Sequence, residues 1–316
     1  MFNPEVSVIV LTYNQETKIS RALDSILAQK CNFRYEIIIG DDASTDSTRA
    51  ICEEYVARYP NVVRLMPKAP NKGIVDNYFD CFLSCRGRYV ADCAGDDYWL
   101  DSNRLQRQRD YLKAYNEVVV VMSDWIISSP QRSQHSHEIE AYKPFQKYLK
   151  GEQAIELLLG CIKGFPLLSA MMYKHQALAA AYRHNDAVIR RKEWMCEDFP
   201  LLIALAAMGN FGYLPLDALV YEVGDESVSN SSSFGKQFDF YLGPAKALVK
   251  LTDYYGIDSE RIKPAFDARI KYLASMAWKA PTSSRIKALT ELSKEWSVSI
   301  PLKAKLRLTA MRLFRH

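Results

Sequence analysis

The sequence predicts an α/β fold: a mostly parallel sheet flanked by helices, with a helical C-terminal extension. Three observations carry that expectation. Short β-branched runs over 6–11, 35–40, 62–66 and 89–93 alternate with amphipathic stretches, the pattern of right-handed βαβ units. The first run, Val6 to Leu11, is β-branched and apolar without alternation, as a strand covered on both faces is. Each run also ends in polar residues, and open α/β sheets take their ligands beyond the carboxyl ends of the strands.

The elements follow in order. Val6-Ser7-Val8-Ile9-Val10-Leu11 leads to Thr12-Tyr13-Asn14, and Ile19, Ala22, Leu23, Ile26 and Leu27 then recur at helical spacing. The second strand ends in Asp41-Asp42, after which Ser44, Thr45 or Asp46 can cap a helix facing inward through Ile51, Tyr55 and Val56. The third leads to Pro70-Asn71-Lys72-Gly73 and a helix through Tyr78, Phe82 and Leu83. The fourth, Tyr89 to Cys93, runs into Gly95-Asp96-Asp97. Two adjacent carboxylates repel each other, so they suit a hard divalent cation. The alternative is an acidic turn that caps a helix opening near Asp101 or Ser102.

Composition narrows the class. The chain has 316 residues, room for one large domain with an appendage or for two modest ones, and its net charge of +4 is too small to argue nucleic-acid binding. The N-terminus lacks a signal pattern, and 6–11 is too short to span a membrane. Seven scattered cysteines without a Cys-x-x-Cys pair suggest reduced core thiols. Neither a Gly-x-Gly-x-x-Gly turn nor a P-loop is present.

Val6 to Asn14, the Gly40-Asp41-Asp42-Ala43-Ser44-Thr45-Asp46 segment, and Gly95-Asp96-Asp97-Tyr98-Trp99 followed by Leu105-Gln106-Arg107-Gln108 together resemble the family 2 glycosyltransferases, with their Rossmann-like GT-A fold. The resemblance implies a domain over 1–232, with a nucleotide-sugar half (1–125) and an acceptor half (126–232), and a helical region over 233–316. It implies that Thr12, Tyr13 and Asn14 line the nucleobase pocket, with Tyr13 stacking, and that Asp42 accepts from the base. Asn71 and Gly73 would lie beside the ribose and diphosphate. Asp96 would ligate Mg²⁺ or Mn²⁺, with Asp97 beside it. The chain departs from the family pattern at Ala94, where a carboxylate is expected; Asp92, on the same strand face, is the candidate to compensate.

The second half reads more loosely. A strand over 118–122 ends in Ser123-Asp124, and the polar run 128–138 reads as a mobile loop. That run holds His135 and His137; with no acid or cysteine at convincing spacing, a solvated loop is expected ahead of a metal site. A helix is expected over 150–159, a strand over 170–173, and an apolar helix over 201–208 opened by Glu197-Asp198. A carboxylate there suits the helix dipole; the resemblance implies that Asp198 is the general base and that Glu197 orients it. Trp194 either faces a sugar or fills core. An edge strand over 219–223 precedes the Ser-rich run 224–233, where the family often carries a histidine and this chain has Gly224 or Asp225. The remainder is helical by pattern. It ends in a basic amphipathic segment, 302–316, suited to peripheral contact with an anionic membrane or to ordinary packing.

The resemblance thus implies an inverting, metal-dependent transferase moving a sugar from a nucleotide-diphosphate donor, UDP-linked by expectation, to a glycan or lipid-linked acceptor. The implied setting is surface polysaccharide synthesis; the reduced thiols point to the cytoplasm, and the membrane reading of 302–316 would place the chain peripherally at the inner face. The alternatives are a catalytically inactive nucleotide-binding partner subunit of the same fold and a nucleotidyltransferase, the latter needing a glycine-rich basic loop that is missing.

Overall fold

The computed structural model describes residues 3–161, 165–223 and 233–301. The predicted sheet is present. β1 (Val6–Thr12), β2 (Tyr35–Asp41), β3 (Val63–Leu65) and β4 (Tyr89–Ala94) lie in the order β3-β2-β1-β4, all parallel. The crossovers are α1 (Ile19–Leu27), α2 (Thr48–Arg58) and α3 (Ile74–Ser84). Beyond β4 the order continues β8 (Met171–Lys174), β6 (Val118–Ser128), β9 (Asn210–Glu222) and β5 (Tyr98–Trp99), with β7 (Ser133–His135) paired to β6. Among the described residues only β5, β7 and β8 run against the rest.

The strands are apolar throughout because both sheet faces are covered. Neighbouring residues in a strand point to opposite faces. Accordingly Val8, Val10, Ile37 and Ile39 pack with Leu23 and Ile26 of α1, Tyr55 of α2 and Leu105 of α4 (Arg104–Ala114). Ile9, Ile38 and Val90 face the other way, onto Phe79 and Phe82 of α3. That second core runs on through α5 (Gly151–Gly160), α6 (His175–Ile189) and α7 (Asp198–Met208). It also takes in α8 (Phe234–Tyr254), α9 (Ser259–Lys279) and α10 (Ser283–Glu295). The predicted helical extension is therefore packed onto the sheet-bearing part through one continuous core. No described helix is long and apolar enough to cross a membrane. The segment 302–316 lies outside the described residues.

Two expectations need correction. The strand expected at the edge over 219–223 is the end of a thirteen-residue strand flanked by β6 and β5. Its first part escaped detection because Gly212 and Pro215 interrupt the apolar run, and β9 bulges against β6 after Leu214. The run 128–138 is not a mobile loop: β7 pairs with β6 and is followed by a single 3-10 turn over Ser136–Glu138. Ser136, fully buried, anchors it by donating to Asp124 at 3.1 Å and accepting the Trp125 N–H at 3.0 Å.

Candidate active site

The carboxyl ends of β1, β2 and β4 meet through main-chain bonds. The Asp42 N–H donates to the Thr12 carbonyl at 3.0 Å, and the Gly95 N–H to the Leu11 carbonyl at 2.8 Å. Gly95 packs so closely that a Cβ there would lie 2.2 Å from Gln15 Oε1 and 2.9 Å from Thr12 Cβ. Thr12 is buried and donates to Gln15 at 2.8 Å, whereas Tyr13 stands half out of the surface. Asn14 sits at φ +52°, and its Oδ1 accepts the Thr45 N–H at 2.8 Å, locking the turn after β2 to the end of β1.

Asp42, also buried, organises the next loop. Its two carboxylate oxygens accept the Lys72 and Gly73 N–H groups, each at 2.9 Å, and Asn71 donates to its carbonyl at 2.8 Å. A carboxylate offers about four acceptor positions, so Asp42 keeps capacity for a further donor. Gly73 adopts φ +84°, which an L side chain resists.

The acidic pair lies beside this cluster. Asp96 is partly exposed; Asp97 is buried, with the Ser169 hydroxyl and the Glu222 backbone facing its carboxylate. Burial, then the Asp96 charge, pushes the Asp97 carboxyl well above its usual range. Asp92 is not placed to compensate for Ala94. Both its oxygens are buried without a partner, in a pocket with Tyr78 and the Arg104 guanidinium, and burial raises it to about 8. The reason is local: at that level of β4 the strand is covered by α3 and β8, whose Tyr78 and Tyr173 hydroxyls bond to each other. Arg104, fully buried over the Trp99 ring at 4.1 Å, donates to the Ser169 and Met171 carbonyls and to Gln108.

From the second half, Glu197 and Asp198 open α7, and the Asp198 carboxylate accepts the Phe199 N–H at 2.7 Å. Desolvation raises both acids; Glu197 is raised further by the charge of Asp198 and by that of Asp92. Glu197 thus lies within electrostatic reach of Asp92 on β4 and of Tyr173 on β8. Trp194 is core and not a sugar platform: it is 2% exposed, and its indole N–H donates to the Val188 carbonyl. Beneath α7, Arg269 of α9 donates to the Leu159 and Cys161 carbonyls, its guanidinium 5.2 Å from the Phe199 ring.

Several residues here were not singled out from sequence. Arg190 spans Asp76 (2.6 Å) and Asp80 (2.7 Å) on α3, Lys72 also reaches Asp80 (2.6 Å), and Lys192 reaches Asp76 (3.1 Å). This network ties the segment before Glu197 to the loop held by Asp42. The spacing of Asp76 and Asp80, four apart on one face of α3, with Lys72 just ahead of that helix, was the available signal. Arg104 and Tyr78 carried none, since an arginine or tyrosine in a helix is ordinarily surface or core. Glu222, at the end of β9, pairs with Arg21 at 2.7 Å, and Arg21 lies 4.1 Å from the Tyr98 ring. Gly224 and Asp225 lie outside the described residues.

Comparison with known proteins fits this arrangement. The family model described as "Glycosyl transferase family 2" matches residues 7–178. An uncharacterized protein of Mycobacterium tuberculosis is 44% identical over 115 residues, 36% of this chain. That match spans only 33% of the relative's own length. Among solved structures, S. aureus TarS 1–349 in complex with UDP-GlcNAc superposes with a TM-score of 0.65 at 16% identity, covering 95% of this chain and 82% of that one. The mannosyltransferase PcManGT of Pyrobaculum calidifontis, in complex with GDP-Man and Mn²⁺, gives 0.54 at 19% identity over 100% and 82%. At these identities the likeness establishes the GT-A-like fold.

Proposed function

The chain belongs to glycosyl transferase family 2, and we propose on that premise that it transfers a sugar, with inversion, from a UDP-linked donor to a hydroxyl of a glycan or lipid-linked acceptor. The observation that carries the reading is the gathering of Thr12, Asp42 and Gly95-Asp96 at one end of the sheet, with Glu197, which opens α7 beside Asp198, within electrostatic reach of Asp92 on β4.

Each residue has a part in that reading. The exposed Tyr13 ring offers a face for the base, and the remaining lone pairs of Asp42 accept its imide N–H. Asn71 and Gly73 hold the loop beside the ribose and diphosphate, and Asn14 fixes the turn opposite. A divalent cation fits the acidic pair: the buried Asp97 carboxylate stands beside the more open Asp96, burial and the Asp96 charge disfavour two bare negative charges there, and oxygen donors of this kind suit Mg²⁺ or Mn²⁺. Asp96 would hold it, supported by Asp97; when bound, such an ion neutralises charge on a leaving diphosphate. An Asp198 oxygen takes the proton of the acceptor hydroxyl as that hydroxyl attacks the anomeric carbon. Its raised affinity for protons makes it a better base than an ordinary carboxylate, and Glu197 holds it in place.

An inactive nucleotide-binding partner subunit is the second reading, favoured by Ala94 and by the burial of Asp92. Incubating the protein with a panel of UDP- and GDP-sugars and Mn²⁺ decides between them. Release of nucleotide diphosphate from one donor, faster with a glycan acceptor, is expected. Tight nucleotide binding with no turnover of any donor would favour the second reading.

A further inference from the structure

We propose that His135, His137 and Asp217 form a second metal site, for a borderline transition-metal ion of the Zn²⁺ class, separate from the acidic pair at Asp96. β7 occupies one edge of β6 and β9 the other, so His135 and Asp217 reach over β6 to meet. His135 Nδ1 lies 3.0 Å from Asp217 Oδ2, the two imidazole centroids are 5.0 Å apart, and one ligand atom from each residue lies within 4.8 Å of the others. A tetrahedral zinc ion sets its ligand atoms about 3.3 Å apart, so small side-chain rotations close the set.

The local structure builds this arrangement from both sides. Buried Ser136, held by Asp124 and the Trp125 N–H, sits between the histidines and fixes where both emerge. Opposite, the bulge after Leu214 brings Asp217 level with Asp124. A histidine–aspartate pair alone would account for neither of two further features. His137 lies against His135 at the same point with its ring tilted by 42°, and Asp217 Oδ1 is buried without a hydrogen-bond partner. Two imidazoles and one carboxylate favour zinc-like ions over Mg²⁺ or Ca²⁺, and three protein ligands leave a coordination position open. The ion would clip the β7 turn to β9. The inference does not rest on sugar transfer.

The test uses the full chain, stripped of metal with a chelator, and Zn²⁺ alone, read by equilibrium dialysis and by thermal melting. One equivalent of Zn²⁺ should bind in excess Mg²⁺ and raise the melting temperature, since an ion specific for the folded state stabilises it. The His135→Ala/His137→Ala variant should bind at least tenfold more weakly and lose the thermal shift. The single variant His137→Ala, at an exposed position, serves as a second test where folding of the double variant is disturbed. Asp96→Ala should leave this Zn²⁺ binding in place. Undiminished Zn²⁺ affinity in both histidine variants, or no binding by the wild type at micromolar Zn²⁺, overturns the proposal.

Discussion

The Asp42 carboxylate accepts the Gly73 N–H at 2.9 Å, joining the end of β2 to the start of α3 across thirty-one residues of chain. Asp42 therefore shapes a loop as well as offering an acceptor to a ligand. Asp42→Ala should weaken UDP binding about tenfold or more, the loss of one charge-assisted contact being worth about 1.5–3 kcal/mol. Gly73→Ala separates the two roles: a Cβ there meets nothing within 4 Å, so only the backbone, at φ +84° and ψ 161° in a region that is essentially glycine's alone, resists it. That strain costs about 1–3 kcal/mol. Calorimetric titration of UDP and thermal melting of both variants check this; unchanged affinity in Asp42→Ala would remove its assigned part.

Asp198→Asn should reduce transfer on the order of 10³-fold while nucleotide affinity stays near that of the wild type. A base must be deprotonated, so transfer should fall as pH drops through the raised Asp198 range, above that of ordinary carboxylates. Glu197, raised to about 8 by burial and then by the Asp198 charge, still holds its proton while Asp198 titrates, so Glu197→Gln should leave that acid limb in place. A limb that moves to lower pH would show that Glu197 is charged there.

Asp96→Ala should abolish the dependence of UDP affinity on Mn²⁺, leaving a weaker, metal-independent binding. Titrations with Mn²⁺ and with a chelator measure it, and equal metal dependence in wild type and variant counts against the cation site.

Asp92 makes stability depend on pH. Its carboxyl is raised to about 8 by burial, so the folded state holds a proton that the unfolded chain has lost above its usual carboxylate range. That contribution is fully present below about pH 4 and is lost as pH rises through about 8. Between pH 6 and pH 9 the melting temperature should fall, and Asp92→Asn should flatten the fall by on the order of 5 °C. Parallel curves for the two proteins would contradict the assignment.

Much of this fold was legible because strands such as β1 and β2 are buried on both faces and announce themselves as unbroken β-branched runs. Asp42 and Asp96 were legible because they stand at the ends of such runs. Reversed strands were harder. Nothing in Met171–Lys174 tells an antiparallel β8 from a parallel strand, and the two residues of β5 are too few to show a period. The histidine pair looked solitary because its third partner, Asp217, arrives from eighty residues away. Trp194 was ambiguous because an aromatic ring reads alike whether it meets a sugar or a core; only its burial decides. The Arg190 network was invisible for the same reason as Asp217: its partners lie more than a hundred residues apart.

The seating of Arg269 against Phe199 and the carbonyls that close α5 makes the last third of the chain the bed on which α7, and with it Asp198, rests. Exchange of acceptor preference by swapping the central region alone would then strand an apolar helix over a mismatched support. Working chimaeras should be those that carry residues from α5 through α10 as a single cassette.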